Sequence, residues 1–238
     1  MSNYQSAQHP PSTWLFTAMA ITVGLWQFPF GPYVLYPFTI LATWFHEMGH
    51  GLTSLLLGGE FNVLILYPNG SGLANAGSES FGPIRHSLVA AGGPIAPALV
   101  GAGLIYASKS EKMTRIALLS LAVAIWLSAI IWIRSLTGLI VVPAVGIAIA
   151  LIVAYGKQWM RALTVQFLGL NAFISMFSAW DYLFTHTAYI GGEALLSDTG
   201  QMSEALGGPH WFWAGVIVAI GGAILLASLH AVYGTRKR

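Results

Sequence analysis

His46-Glu47-Met48-Gly49-His50 is the group of residues in this chain best suited to chemistry. Two histidines four residues apart stand on one face of an α-helix, so both imidazoles can reach one ion. The glutamate between them can take a proton from a water on that ion. Zinc lowers the pKa of such a water to about 7, which makes hydroxide available at neutral pH. Residue frequencies supply about 0.005 such patterns by chance in a chain of this composition. A blander reading has His46 and His50 simply bonded to neighbouring helices. Against it stands Glu47, the only carboxylate between residues 13 and 59, set inside the apolar run Tyr33–Leu57. An acid at membrane depth costs about 2.5–3.5 kcal/mol, and a metal with its water is a fitting partner.

A catalytic zinc usually has three protein ligands and one open position. Two histidines leave one ligand to find, and the chain has no cysteine. Asp181, in Trp180-Asp181-Tyr182, is the leading candidate, because it is the only charge in the run 162–184. Asp198, in Ser197-Asp198-Thr199, is the second; Ser-Asp in a loop more often caps a helix. His9 lies in a polar tail, and His86, His186, His210 and His230 fall near helix ends, where a polar tip reaching water is ordinary.

The elements that must position these residues follow from composition. Of 238 residues 56% are hydrophobic and only 8% charged, and the mean hydropathy is +0.70. A soluble domain carries about 25% charge; these values exclude a soluble domain, a disordered chain and a nucleic-acid binder. The net charge of +2 says little about partners, and the absence of cysteine excludes disulfides, thiolate nucleophiles and iron–sulfur clusters. A spanning helix needs about 20 mostly apolar residues. Candidate runs lie at 13–30, 33–57, 86–107, 115–133, 137–155, 162–184 and 210–231. No signal-peptide pattern marks the N-terminus, so its first run is read as a membrane segment.

The expected fold is therefore an all-α polytopic membrane protein of one domain, 1–238. It has six or seven transmembrane helices, a polar tail at 1–12 and a basic tail at 232–238. Between residues 58 and 85 the β-branched run Glu60–Tyr67 precedes Pro68-Asn69-Gly70, which predicts a small β-hairpin after the HExxH helix. A second long connection, 185–209, holds Glu193, Asp198 and Glu204 and no cation. Gly92-Gly93-Pro94 gives its helix a small face for close packing, and the sharper expectation is that this helix lies against the metal site. With seven spans, eight basic residues fall on one side and two on the other, which puts the C-terminus in the cytoplasm.

His46-Glu47-x-x-His50 in a membrane helix, a Gly-rich hairpin, the Gly-Gly-Pro helix and a late aspartate together resemble the site-2 protease family of intramembrane zinc metalloproteases. The compact site-2 protease-like branch is similar also in Gly58-Gly59, Pro68-Asn69-Gly70-Ser71-Gly72 and the stretch from Ser197 to Trp211. These pieces cover about 45–230. The resemblance implies that His46, His50 and Asp181 bind zinc and that Glu47 activates water. It implies a hairpin at 60–76 that presents an extended segment by strand addition, and hydrolysis of membrane protein or peptide substrates in or near the bilayer. A bacterial cytoplasmic membrane is the expected location, with no nucleic acid among the partners.

The chain departs from the family pattern in three places. The late aspartate stands in Trp180-Asp181-Tyr182 rather than Leu-Asp-Gly. Asn171 lies ten residues upstream of it, and no PDZ-like domain is present. The alternative reading is a catalytically silent relative acting as a binding or regulatory scaffold. A transporter with a midplane metal is a third reading, which the lack of a second in-membrane acid disfavours.

Overall fold

The computed structural model describes residues 19–20, 22–25, 27–178 and 180–234. Its long helices are α1 (Gly31–Leu56), α2 (Pro83–Ala107), α3 (Glu111–Ile131), α4 (Leu136–Tyr155), α5 (Gln158–Ser178) and α8 (His210–Tyr233). Short helices α6 (Trp180–Leu183) and α7 (Asp198–Leu206) lie between α5 and α8. Two hairpins complete the fold: β1 (Glu60–Leu66) with β2 (Gly72–Gly77), and β3 (Thr187–Ile190) with β4 (Glu193–Leu196).

Punctuation in the sequence sets these boundaries. Proline stands in the first turn of α1 and α2, where its missing N–H costs nothing. Ser110, Ser135 and Ser197 cap α3, α4 and α7 by accepting from the N–H three residues on. The first expected run, 13–30, falls mostly outside the described residues. Among those described, α2, α3, α4 and α8 are long and apolar enough to cross a membrane. Helices α1 and α5 fall short by composition, because they carry Thr39, Thr43, His46, Glu47 and His50, and Gln166, Asn171 and Ser175. The expectation of six or seven apolar spans is thus met by four.

Helix α2 is the centre of the bundle and packs against α1, α5, α7 and α8. Its glycines allow this. A Cβ at Gly92 would collide with Thr53, and one at Gly101 would lie 2.6 Å from the Gly169 carbonyl on α5. Small residues at such crossings let backbones approach where lipid offers no hydrophobic driving force. The main core joins α1, β1, α3, α4 and α5 around Ile40, Leu64, Leu118, Ile125 and Val165, all fully buried.

The expected hairpin forms at 60–77 with a bulge between Phe61 and Val63. It is fastened on both sides. Leu64 bonds to Trp132 and Arg134 through its backbone, and the Trp132 indole donates to the Phe61 carbonyl. Thr43 Oγ1 donates to the Gly70 carbonyl at 2.6 Å, which ties the turn to α1 one turn before His46. The run expected at 162–184 is helical over its described residues, as α5 up to Ser178 and α6 from Trp180, and the connection expected as loop contains the second hairpin, whose Gly191-Gly192 turn has φ of +61° and +94°. Two positive φ values in a two-residue turn are what glycine pairs supply.

Candidate metal centre

His46, Glu47 and His50 lie in the second half of α1, and His46 and His50 bring their Nε2 atoms to 3.1 Å from each other. The carboxylate that meets them is Asp198. Its Oδ2 is 3.0 Å from His46 Nε2 and its Oδ1 is 3.2 Å from His50 Nε2. One donor atom from each of the three residues lies within 4.8 Å of the others, so the group could hold a metal ion.

Asp181, the leading third ligand by sequence, is not part of this group. It sits in α6 with an exposed side chain. The chain passes through α6, in which Leu183 is buried, then runs out and back through β3–β4. It returns at Ser197, which caps α7 by accepting from Gly200 and donates to the Thr185 carbonyl at 2.5 Å. With the cap supplied by Ser197, Asp198 is free to face the imidazoles, and it is 1% exposed. Burial opposes ionisation there, but the two imidazoles hold the Asp198 carboxyl well below the usual carboxylate range.

The donor set fits a cation. His50 Nδ1 lies 2.8 Å from the Val89 carbonyl oxygen of α2. A carbonyl only accepts, so Nδ1 donates to it and Nε2 is the nitrogen that faces Asp198 and His46. Asp198 Oδ2 is fully buried, and the His46 Nε2 3.0 Å away meets it outside hydrogen-bond geometry. A buried carboxylate oxygen without a well-aligned donor, between two imidazole nitrogens, is a costly arrangement that a metal ion satisfies.

Helix α2 shapes the centre, as the Gly-Gly-Pro motif suggested. A Cβ at Gly49 would collide with the Gly92 carbonyl, and one at Gly93 would collide with the His50 ring. Strand β2 presses on Glu47 in the same way: a Cβ at Gly72 would lie 2.8 Å from Glu47 Oε1. Glu47 is buried. It lines a cavity of about 680 Å³ walled by α1, the 69–72 turn, Pro94, Asn171 and Tyr189. It also lines a second cavity of about 590 Å³ between β2 and β4. Only Glu47, Gly72, Tyr182 and Ile190 belong to both walls.

Tyr182 is the site residue that sequence reasoning missed. Its hydroxyl accepts from the Asp198 N–H at 3.2 Å, and its ring stands edge-on to His46 at 6.0 Å. The signal was one position from the aspartate chosen, and neighbours on a helix point about 100° apart. Asn171 lines the larger cavity and donates to the Phe167 carbonyl of its own helix. His186 pairs with Glu204 at 3.4 Å, and His210 bonds the Phe184 carbonyl at 3.1 Å. His86 stacks edge-on with Phe81. None of these three belongs to the metal group.

No curated protein and no solved structure matches the chain. A family model does, and with four helices fit to cross a membrane it points to an integral membrane protein. The chain belongs to the Peptidase M50B-like family, whose model matches residues 14–228.

Proposed function

We propose that the chain is a zinc-dependent endopeptidase that cuts membrane-associated protein segments within or near the bilayer. One observation carries the reading. The only buried glutamate beside the His46/His50/Asp198 group is also a wall of two adjoining cavities. A scissile bond passing from one cavity to the other would cross Glu47.

A zinc ion held by His46, His50 and Asp198 would polarise the scissile carbonyl and acidify the attacking water. Glu47 takes that water's proton and returns it to the leaving amine. Val89 fixes the His50 tautomer, and the packing of Gly93 fixes its ring plane. Gly72 and the 69–72 turn confine Glu47, so its carboxylate does not need to reorganise during the reaction. The larger cavity, lined by Leu35, Phe38, Ala42, Ile174 and Met176, suits an apolar segment taken from the membrane.

The test is zinc content and hydrolysis measured together on detergent-purified protein. Wild type should carry about one zinc and cut an apolar peptide, and Glu47→Gln should retain zinc and cut at least a hundredfold more slowly. Cleavage retained in Glu47→Gln would overturn the mechanism. Zinc without any hydrolysis in wild type would leave the binding-scaffold reading in its place.

A further inference from the structure

Strands β2 and β4 each belong to a two-stranded sheet, so each has an edge that faces no strand among the described residues. The register shows which backbone groups point outward. Tyr67 N–H donates to the Ser71 carbonyl at 2.9 Å, which makes 67/71 a hydrogen-bonded pair. Bonded and non-bonded pairs alternate along an antiparallel ladder. Pairs 66/72 and 64/74 are therefore non-bonded, and Gly72 and Ala74 turn their N–H and C=O away from β1; the Ala74 N–H bonds the Glu47 carboxylate, which leaves the Ala74 C=O and both groups of Gly72 to a further strand. Leu64 obeys the same alternation on the far side, where its backbone bonds Trp132 and Arg134.

In the second hairpin the two-residue turn makes 190/193 a bonded pair. Ala194 and Leu196 then turn their backbone groups away from β3. The Ser197 N–H bond to His186, 3.0 Å long, has the phase this requires. All four outward-facing residues, Gly72, Ala74, Ala194 and Leu196, line the 590 Å³ cavity beside Glu47. Residues on one face of a strand alternate. Here 72–74 and 194–196 line the cavity consecutively, as strand edges do.

Strand addition to the first hairpin is what the family resemblance already implies; we infer that the extended segment beside β2 is bonded on its other side to β4, so that the 187–196 hairpin is a substrate-binding element. The inference rests on the peptidase reading for the identity of the occupant. The rest of the lining has Leu73, Ala76, Val89, Ile190 and Leu195 as apolar members and His50, Tyr182 and Gln201 as polar ones, and its acids are Glu47 and Asp198. The segment that fits has no acidic side chain next to the scissile bond. The far end of the slot is held in place by packing. Gly191, at φ +61°, lies so close to the Tyr67 ring that a Cβ would stand 2.5 Å from it, which joins the tip of the second hairpin to the end of β1.

The experiment uses zinc-loaded Glu47→Gln protein and an alternating Ala/Val decapeptide with terminal lysines, read by backbone hydrogen exchange. Slowed exchange in both 72–76 and 193–197 is expected. Slowing confined to 72–76, or none in either, overturns the inference. In the same background, Ala194→Pro removes an outward N–H that the β3–β4 ladder does not use. It should weaken peptide binding about three- to tenfold, the worth of one hydrogen bond; unchanged binding overturns the inference, and exchange in β3–β4 without peptide shows whether the hairpin still forms. Hydrolysis of the same peptide by wild type tests the peptidase reading separately. Protection without hydrolysis keeps the slot and removes the peptidase; hydrolysis without protection at 193–197 does the reverse.

Discussion

His50 Nδ1 and the Val89 carbonyl oxygen are 2.8 Å apart, which joins the metal-facing helix α1 to the backbone of α2. Four residues on from Val89, Gly93 closes against the same imidazole. The ring is therefore set by one hydrogen bond and one missing side chain. Gly93→Ala should displace it: zinc affinity should fall at least tenfold, the scale on which outer partners of metal-bound histidine act. Gly103→Ala, in the same helix with open space around it, should leave zinc unchanged. Zinc titration of the two variants checks this, and equal affinities would mean that the ring has room to move.

The two aspartates of the chain make opposite predictions. Asp198→Asn removes the buried carboxylate that meets both imidazoles and should reduce zinc from about one per chain to a small fraction. Asp181→Asn alters an exposed side chain outside the group and should keep zinc and fold. Metal content of the purified variants decides it, and zinc retained in Asp198→Asn with loss in Asp181→Asn would reverse the assignment.

Much of this was legible in the residues. HExxH, the hairpin at the Asn-Gly turn and the Gly-Gly-Pro helix against the metal site each depend on local chemistry: a fixed helical spacing, a turn residue, a missing Cβ. The third carboxylate was not legible for a physical reason. Asp181 looked right because it was the only charge in an apolar run, but which side chain of the late segment meets the histidines depends on tertiary packing. The hairpin at 187–196 left a signal, the run Tyr189-Ile190 before the pair Gly191-Gly192. Once that hairpin forms, Ser197 caps α7 and Asp198 returns to the site. Helices α1 and α5 fall below the apolar content of the other long helices because helices that line a polar site lose apolar character on the face that matters.

The crossing of α1 and α2 sets a stability prediction. Gly49 packs on the Gly92 carbonyl, and a Cβ there would also stand 2.6 Å from that of Ala96. These are backbone and short side-chain atoms with no free torsion to relieve the clash. Gly49→Ala should destabilise the protein by about 1–3 kcal/mol, despite the helix-propensity gain of up to about 1 kcal/mol. Thermal unfolding in detergent is the measurement. An unfolding temperature at or above wild type would show that the two helices can separate without cost.

Tyr182 separates positioning from ligation. Its hydroxyl accepts the Asp198 N–H at 3.2 Å, and its ring borders both cavities beside Glu47. Tyr182→Phe keeps the ring and its edge contact with His46 and removes only the hydroxyl. Losing one neutral hydrogen bond costs about 0.5–1.5 kcal/mol, so kcat should fall about three- to tenfold. KM should stay near wild type, because the apolar walls that hold the segment are unchanged. Zinc stoichiometry should also hold, since His46, His50 and Asp198 all remain. Steady-state kinetics with metal analysis on the same samples checks this. A large loss of zinc would mean that the hydroxyl holds Asp198 in place for the metal, and an unchanged kcat would mean that the Asp198 backbone is held well enough by the Ser197 cap alone.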